Sequence, residues 1–184
     1  MSCAFGCNFA GEIPVSLVLT LVDQILEIAT EKDVALRQMM LPDTMGWATP
    51  QSVKRLIGAV RDKYPDQRLS LHLHDTRGMA VALAYAGLEM GVSIYDACVG
   101  GLGGCPFAAH KGAAGNICTE DLVFMCDEMG IETGVDLDKL MMSVGSSLRY
   151  KAISLEWVYA YVYMKDRDIT NSVVLQTNPT RPAW

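Results

Sequence analysis

The chain has 184 residues, of which 51% are hydrophobic and 20% are charged, and its formal net charge at pH 7 is -6. This length and composition predict one folded unit around a single sizeable core, and they argue against intrinsic disorder. An acidic chain without a basic stripe is not expected to bind nucleic acid through phosphate contacts.

The apolar segments and the cysteines bear on the cellular location. The longest apolar run, from Val15 to Val22, is interrupted by Thr20 and ended by Asp23, so it is too short to cross a bilayer. Residues 1–7 lack the basic segment of a secretory signal. We therefore expect a cytoplasmic or mitochondrial matrix location, no membrane partner, and free thiols rather than disulfides at the six cysteines.

Helices and strands alternate in the first half of the chain. Pro14 can open a helix, and apolar residues at helical spacing continue it to about residue 31. Residues 34–41 have strand character, and residues 42–46 are predicted to form a turn. The pair Thr49-Pro50 predicts the start of a second helix, which Tyr64-Pro65 ends.

The alternation continues in the second half. Residues 69–74 are predicted to form a strand, and Asp75-Thr76 is predicted to cap a helix that ends at Gly91. A strand is expected at 92–99 and a short extended stretch at 115–118. Helices are expected from residue 119 to Gly130 and after a cap at Asp136.

Strands that alternate with helices of this length predict an α/β fold built from parallel βα units. A complete eight-stranded barrel takes about 250 residues, whereas only four strands are clear here, so we expect part of a barrel. In such folds the chemistry collects at the carboxyl ends of the strands. The polar residues and the thiol at or just after those ends are Asp43, His72, His74, Cys105 and Asn116.

The last part of the chain carries a weaker pattern. The aromatic residues between 157 and 163 alternate with apolar ones, so a buried strand and a helix cannot be separated there. The tail from Thr170 to Trp184 is predicted to be irregular. We divide the chain into a partial barrel domain, residues 1–148, and a carboxyl-terminal extension, residues 149–184.

The candidate metal ligands lie on one predicted strand. Leu69, Leu71 and Leu73 alternate with Ser70, His72 and His74, so a strand sends the leucines to one side and both imidazoles to the other. Two such imidazoles can chelate one ion, and the alternative is a pair of hydrogen-bonded polar residues inside a barrel. Asp75 and Asn116, taken alone, are typical of capping or turn residues.

A glycine-rich segment follows the next predicted strand. Residues 100–104 include four glycines, and this composition favours a mobile flap that carries Cys105 over a substrate, with a structural turn as the alternative. The identity of Cys105 alone leaves a nucleophile, an acid and a small apolar residue all open. His110 and Lys111 could contact an anionic group or could be solvated loop residues.

Four separated segments carry a specific resemblance to a known family. They are Leu41-Pro42-Asp43-Thr44-Met45-Gly46, His72-Leu73-His74-Asp75-Thr76-Arg77-Gly78, Gly101-Leu102-Gly103-Gly104-Cys105-Pro106-Phe107-Ala108 and Gly115-Asn116-Ile117-Cys118-Thr119-Glu120-Asp121-Leu122. In order and approximate spacing they resemble the 3-hydroxy-3-methylglutaryl-CoA lyases, and the resemblance extends to about Val144.

The resemblance implies a metal-dependent TIM-barrel lyase, represented here by about its last four βα units. It implies that His72, His74 and Asn116 are ligands of Mg or Mn, that Cys105 is a catalytic thiol, and that Asp43 is an active-site carboxylate. The implied reaction cleaves 3-hydroxy-3-methylglutaryl-CoA to acetyl-CoA and acetoacetate, as in leucine degradation and ketone body formation. We expect Cys105 to act as the acid, and His72 or Asp43 as the base.

Two departures from the family pattern limit this expectation. The family's first barrel strand carries an arginine and a metal-binding aspartate that have no counterpart here, and an added His110-Lys111 lengthens the loop after Cys105. We expect the amino-terminal half of the barrel to be absent and the chain to be inactive unless it pairs with that half or with a second copy. The alternatives are a related lyase or aldolase acting on another 3-hydroxyacyl-CoA or hydroxy acid, and a non-catalytic half-barrel.

Overall fold

The structure is a computed structural model that describes residues 3–103, 114–148 and 173–176. In chain order its elements are β1 (Gly6–Cys7), β2 (Gly11–Glu12), α1 (Val15–Glu31), β3 (Met39–Asp43), α2 (Pro50–Lys63), β4 (Leu69–Leu73), α3 (Ala80–Glu89), β5 (Ile94–Ala97), a 3-10 turn (Val99–Gly101), α4 (Thr119–Glu128), α5 (Leu137–Leu148) and β6 (Val173–Gln176). Within these ranges, none of the helices combines the length and the apolar character needed to span a membrane.

A four-stranded sheet in the order β3-β4-β5-β6 organises the described part of the chain. The first three strands are parallel, and β6 runs antiparallel to β5. The strands β1 and β2 form a separate antiparallel pair. Parallel strands with intervening helices, but without closure of the described strands, confirm the expected incomplete α/β barrel.

The core lies where the leucine face of β4 meets the helices. Leu69, Leu71 and Leu73 are at most 3% exposed, and Leu71 packs closely against Gly87 of α3. Helix α2 adds a buried stripe at helical spacing, formed by Val53, Leu56, Ile57 and Val60. Because the leucines fill this face, the alternate residues of β4 are left for the opposite face.

The close approach of Gly87 to the sheet gives a testable consequence. A β-carbon at Gly87 would lie 2.5 Å from Leu71 Cδ1 and 2.8 Å from Tyr95 Oη, and both neighbours are fully buried. We expect Gly87→Ala to lower the free energy of unfolding by about 1–3 kcal/mol, measured by urea denaturation, because overpacked atoms have no room to move.

Gly58 in α2 is the matched control for this substitution. The nearest neighbour of a β-carbon there is Met90 Cε at 3.8 Å, which is an ordinary contact. Gly58→Ala should therefore leave stability unchanged or raise it by up to about 1 kcal/mol, since alanine favours the helix more than glycine does. Equal losses for the two variants would contradict the packing argument.

One predicted boundary in the first half of the chain is wrong. The strand expected at 34–41 begins only at Met39, and Pro42 and Asp43 belong to β3 rather than to a turn. The register pairs Met39 with Leu69, the first residue of β4, so the residues before Met39 have no backbone pairing partner on that strand. Pro42 is tolerated because β3 is an edge strand, and its carbonyl accepts a hydrogen bond from the Ala4 N–H at 2.9 Å.

Two further expectations concern α3 and the tail. Helix α3 begins at Ala80 with Met79 at its N-cap position, so Asp75 and Thr76 do not occupy the cap position predicted for them. Asp75 lies upstream of the cap, and its Oδ1 accepts the Ala80 N–H at 2.9 Å. The irregular tail predicted from residue 170 is wrong for residues 173–176, which form β6 against β5. The aromatic segment at 157–163 lies outside the described residues, and the domain boundary after residue 148 stays a prediction.

Candidate metal centre

The end of β4 brings the two predicted imidazoles together. His72 is on the strand opposite Pro42 and Asp96, and His74 follows the strand in an isolated bridge with Asn116. The Nε2 atoms of the two histidines are 3.1 Å apart, and the ring centroids are 5.0 Å apart. Strand alternation therefore does place both rings on one face, as the sequence predicted.

His74 is the more buried of the two histidines. It is 3% exposed, and burial, together with the neighbouring His72, lowers the pKa of His74 to about 4. Its Nδ1 atom is buried and finds no hydrogen-bond partner among the described residues. His74 is consequently neutral at physiological pH, which is the form of imidazole that binds a metal ion.

Asn116 forms an isolated β-bridge with His74 and carries a buried side-chain amide oxygen. Its Nδ2 donates to the carbonyl of Leu102 at 3.3 Å, whereas its buried Oδ1 has no partner in the described part of the chain. Gly103 has a φ of 88°, and a β-carbon there would lie 2.7 Å from Asn116 Nδ2. The glycine-rich segment therefore approaches Asn116 at position 103, which only glycine can occupy without strain.

The contact between His72 and Asp96 was not predicted from the sequence. His72 Nδ1 and Asp96 Oδ2 are 3.3 Å apart, with 23% and 33% of the respective side chains exposed. Tyr95 and Ala97, which flank Asp96 on β5, are buried, so alternation turns Asp96 toward the opposite face. The sequence signal that could have predicted this contact is Asp96 itself, an acidic residue between Tyr95 and Ala97 on the neighbouring predicted strand.

Asp43 lies at the end of β3 and closes the turn that follows it. Its two carboxylate oxygens accept the backbone N–H groups of Trp47 and Ala48, each at 2.9 Å. The residue is 1% exposed, and burial raises the pKa of its carboxyl group although the two N–H groups oppose this. Arg77 donates to the carbonyls of Met45 and Gly46 in the same turn.

A second buried carboxylate holds the start of the glycine-rich segment. Glu120, 7% exposed, accepts the Gly100 N–H at 2.9 and 3.1 Å with its two oxygens, and Cys118 Sγ lies 3.1 Å from one of them. Burial raises the pKa of both side chains. Cys118 is therefore a protonated thiol in contact with Glu120, and Cys98 and Cys126 are buried.

No disulfide joins the cysteines at 3, 7, 98, 118 and 126, which are those within the described residues. Cys105, His110 and Lys111 lie outside the described residues, so their predicted roles stay predictions.

The donor set at the end of β4 fits part of a divalent metal site. Two adjacent ligands of an octahedral ion, with bonds of about 2.1 Å, lie about 3 Å apart, and the two Nε2 atoms match this separation at 3.1 Å. Asn116, which forms a bridge with His74, carries the third candidate donor, its buried Oδ1. In the described ranges no group of three or more His, Cys, Asp and Glu side chains is placed to hold a metal ion. His72, His74 and Asn116 would therefore fill three ligand positions and leave the others to groups elsewhere.

Comparison with known proteins identifies the family. The family model described as HMGL-like matches residues 1–145. The chain belongs to the HMGL-like family. It is 43% identical to the mitochondrial hydroxymethylglutaryl-CoA lyase of Gallus gallus over 141 residues, which are 77% of the chain and 45% of that protein.

Two further relatives agree with this assignment. The cytoplasmic 3-hydroxy-3-methylglutaryl-CoA lyase of Rattus norvegicus is 40% identical over 77% of the chain and 39% of its own length. The solved structure of an HMG-CoA lyase from Acinetobacter baumannii, in complex with coenzyme A and 3-methylmalate, superposes with a TM-score of 0.69 at 44% identity. That match covers 79% of this chain and 45% of the other, so the chain spans less than half the length of these relatives.

Proposed function

We propose that the chain is the carboxyl-terminal part of a carbon–carbon lyase that cleaves 3-hydroxy-3-methylglutaryl-CoA to acetyl-CoA and acetoacetate. The observation that carries the proposal is the pair of Nε2 atoms 3.1 Å apart at the end of β4, in a chain whose first 145 residues match the HMGL-like family. Because the chain covers less than half of its relatives, its activity requires the remaining barrel strands, supplied by an amino-terminal half-barrel or a second copy.

His72, His74 and Asn116 would hold Mg or Mn in this proposal. The neutral His74 and the unpartnered Asn116 Oδ1 support it, since both present a lone pair at the carboxyl end of β4. A divalent cation at this site would make the substrate's hydroxyl group easier to deprotonate and would neutralise its carboxylate.

The proton transfers require a base and an acid. The base removes the hydroxyl proton, the carbon–carbon bond breaks as the ketone of acetoacetate forms, and the bonding electrons remain on the thioester as an enolate. An acid then protonates that enolate to give acetyl-CoA. We assign the acid to Cys105, on the resemblance of the glycine-rich segment to the lyase motif.

Asp43 is our choice for the base. A His72 that binds metal through Nε2 and donates its Nδ1–H to Asp96 has no lone pair left for a proton. Each oxygen of Asp43 accepts one N–H and retains further accepting capacity. The raised pKa of the Asp43 carboxyl also moves it toward the range of an effective base.

Complementation tests the proposal directly. The purified chain is mixed with the amino-terminal half-barrel of the Acinetobacter baumannii lyase and Mn, and acetoacetate is measured. We expect turnover only with both halves, and a loss of about 10²–10⁴-fold in kcat for Cys105→Ala. Cys126→Ala, which changes a thiol buried in α4, is the matched control and should retain turnover.

The outcomes separate the candidate functions. A complex of the two halves, verified by sedimentation, that neither binds Mn nor forms acetoacetate would support the non-catalytic half-barrel instead. Binding of Mn without acetoacetate would point to another substrate of the same chemistry.

The 3-methylmalate in the Acinetobacter baumannii structure favours one specific alternative substrate. The coenzyme A thioester of 3-methylmalate has a hydroxyl group on its β-carbon, as 3-hydroxy-3-methylglutaryl-CoA does, but its carboxylate is attached directly to that carbon. The same cleavage would yield glyoxylate and propionyl-CoA. Glyoxylate release from that thioester, assayed with the complemented chain, decides between the two substrates. The mitochondrial and cytoplasmic relatives support either of those compartments for the enzyme.

A further inference from the structure

A carboxylate on the neighbouring strand contacts His72 and takes no part in the proton transfers proposed for the cleavage. Asp96 is directly opposite His72 in the parallel register of β4 and β5, and on its other side it pairs with Val174 of β6. Neighbours on both sides therefore fix the backbone of Asp96. The carboxylate reaches His72 Nδ1 at 3.3 Å, while His72 Nε2 faces His74 at 3.1 Å.

These two contacts determine which nitrogen of His72 carries the proton. An ionised carboxylate only accepts hydrogen bonds, so His72 Nδ1 must be the donor to Asp96. A neutral imidazole has one N–H, so the Nε2 atom then has a lone pair. In the absence of metal, that lone pair accepts the Nε2–H of His74, which leaves His74 Nδ1 as the bare buried atom that the structure shows without a partner.

We propose that Asp96 is a positioning residue that holds His72 in the Nδ1–H tautomer and so keeps its Nε2 atom available as a metal ligand. His74 has no equivalent carboxylate among the described residues. The orientation of the imidazole pair consequently depends on Asp96. The tautomer assignment stands on the hydrogen-bond geometry alone, whereas its consequence for metal affinity rests on the proposed function.

The first experiment reads the tautomer without metal. The chain has three histidines, and long-range proton–nitrogen-15 NMR spectra at about pH 7 with EDTA distinguish Nδ1–H from Nε2–H for each of them. We expect Nδ1–H at His72 in the parent chain. Asp96→Asn has the same shape but can donate its amide N–H to Nδ1, so the Nε2–H tautomer should appear. Asp66→Asn, at an exposed carboxylate, should leave the spectrum unchanged.

The second experiment measures Mn affinity by EPR titration of the complemented chain. Asp96→Asn is expected to weaken binding about 10–100-fold, the usual loss when a carboxylate behind a ligating histidine is removed, and Asp66→Asn should bind like the parent. Asp96→Ala, which removes the acceptor without adding a donor, provides a second variant should the amide disturb folding, and it should show the same loss.

Three results would overturn the inference. They are an Nε2–H or doubly protonated His72 in the parent, an unchanged tautomer in both Asp96 variants, and Mn affinities within about twofold of the parent despite a changed tautomer. Absence of Mn binding in the parent itself would defeat the proposed metal site. In that case the NMR measurement of the His72 tautomer would still test whether Asp96 positions His72.

Discussion

In metal-free buffer, the chain is expected to lose about 3 kcal/mol of stability between about pH 7 and pH 4 through His74 alone. The buried imidazole has a pKa of about 4 in the folded chain, against 6.5 for an ordinary histidine. Below the unfolded value the unfolded chain binds a proton that the folded chain does not, so stability falls as the pH is lowered through this window.

The measurement is the difference in the free energy of unfolding between the parent and His74→Asn, taken by urea denaturation with EDTA across this range. A difference is needed because burial raises the pKa of the carboxyl groups of Asp43, Glu120 and Asp121. Those groups have the opposite effect, since a raised carboxyl pKa makes the folded chain more stable as the pH falls. If the difference in the free energy of unfolding between the parent and the variant does not change with pH, the lowered pKa of His74 is contradicted.

The burial of His74 lowers the stability of the chain in acid, and it also favours metal binding at the proposed site. An imidazole that stays unprotonated at neutral pH needs no proton release from a cationic form before it binds a metal ion. The buried His74 therefore lowers the stability of the folded chain below pH 6.5, but it is a neutral candidate ligand at physiological pH. An exposed histidine at the same position would retain a partial positive charge there.

The arrangement of His72 and His74 was predictable because it depends on local geometry. Successive side chains of a strand point to opposite faces, and Leu71 and Leu73 are strongly apolar, so only one face remains for the imidazoles. The structure confirms this at β4. The helices α1 and α2 were predictable for a similar reason, since apolar spacing and the prolines at 14, 50 and 65 mark their limits.

The partners of these residues were not predictable, because they depend on register between strands distant in sequence. Asp96 is 24 residues from His72, and only the pairing of β4 with β5 brings the two together. Glu120 and Gly100 are separated by 20 residues and meet where α4 begins. The end of β3 was mispredicted because Pro42 suggests a turn in sequence but is acceptable in an edge strand.

Asp43→Ala is expected to lower the free energy of unfolding by about 2–5 kcal/mol. Its carboxylate accepts the N–H groups of Trp47 and Ala48, and each buried donor left without an acceptor costs about 1–3 kcal/mol. Asp43→Asn retains one acceptor oxygen and should lose about half as much. Asp66→Ala, at an exposed site, should change stability by no more than about 0.5 kcal/mol.

The pH dependence gives this prediction a second check. Because burial raises the pKa of the Asp43 carboxyl above its usual 3.8, the parent is relatively more stable below the folded pKa than above it. The loss on removing the side chain should therefore be larger in mild acid than at neutral pH. A loss that grows as the pH rises would instead mean that the ionised carboxylate is the stabilising form.

Asp43→Asn also separates the structural role of this residue from its proposed catalytic role. If Asp43 is the base, the kcat of the complemented enzyme should fall about 10²–10⁴-fold in this variant. The kcat is measured well below the temperature at which the variant unfolds. A turnover number within about tenfold of the parent, with the expected loss of stability, would restrict Asp43 to closing the turn after β3. The base would then have to come from the half of the barrel that this chain does not contain.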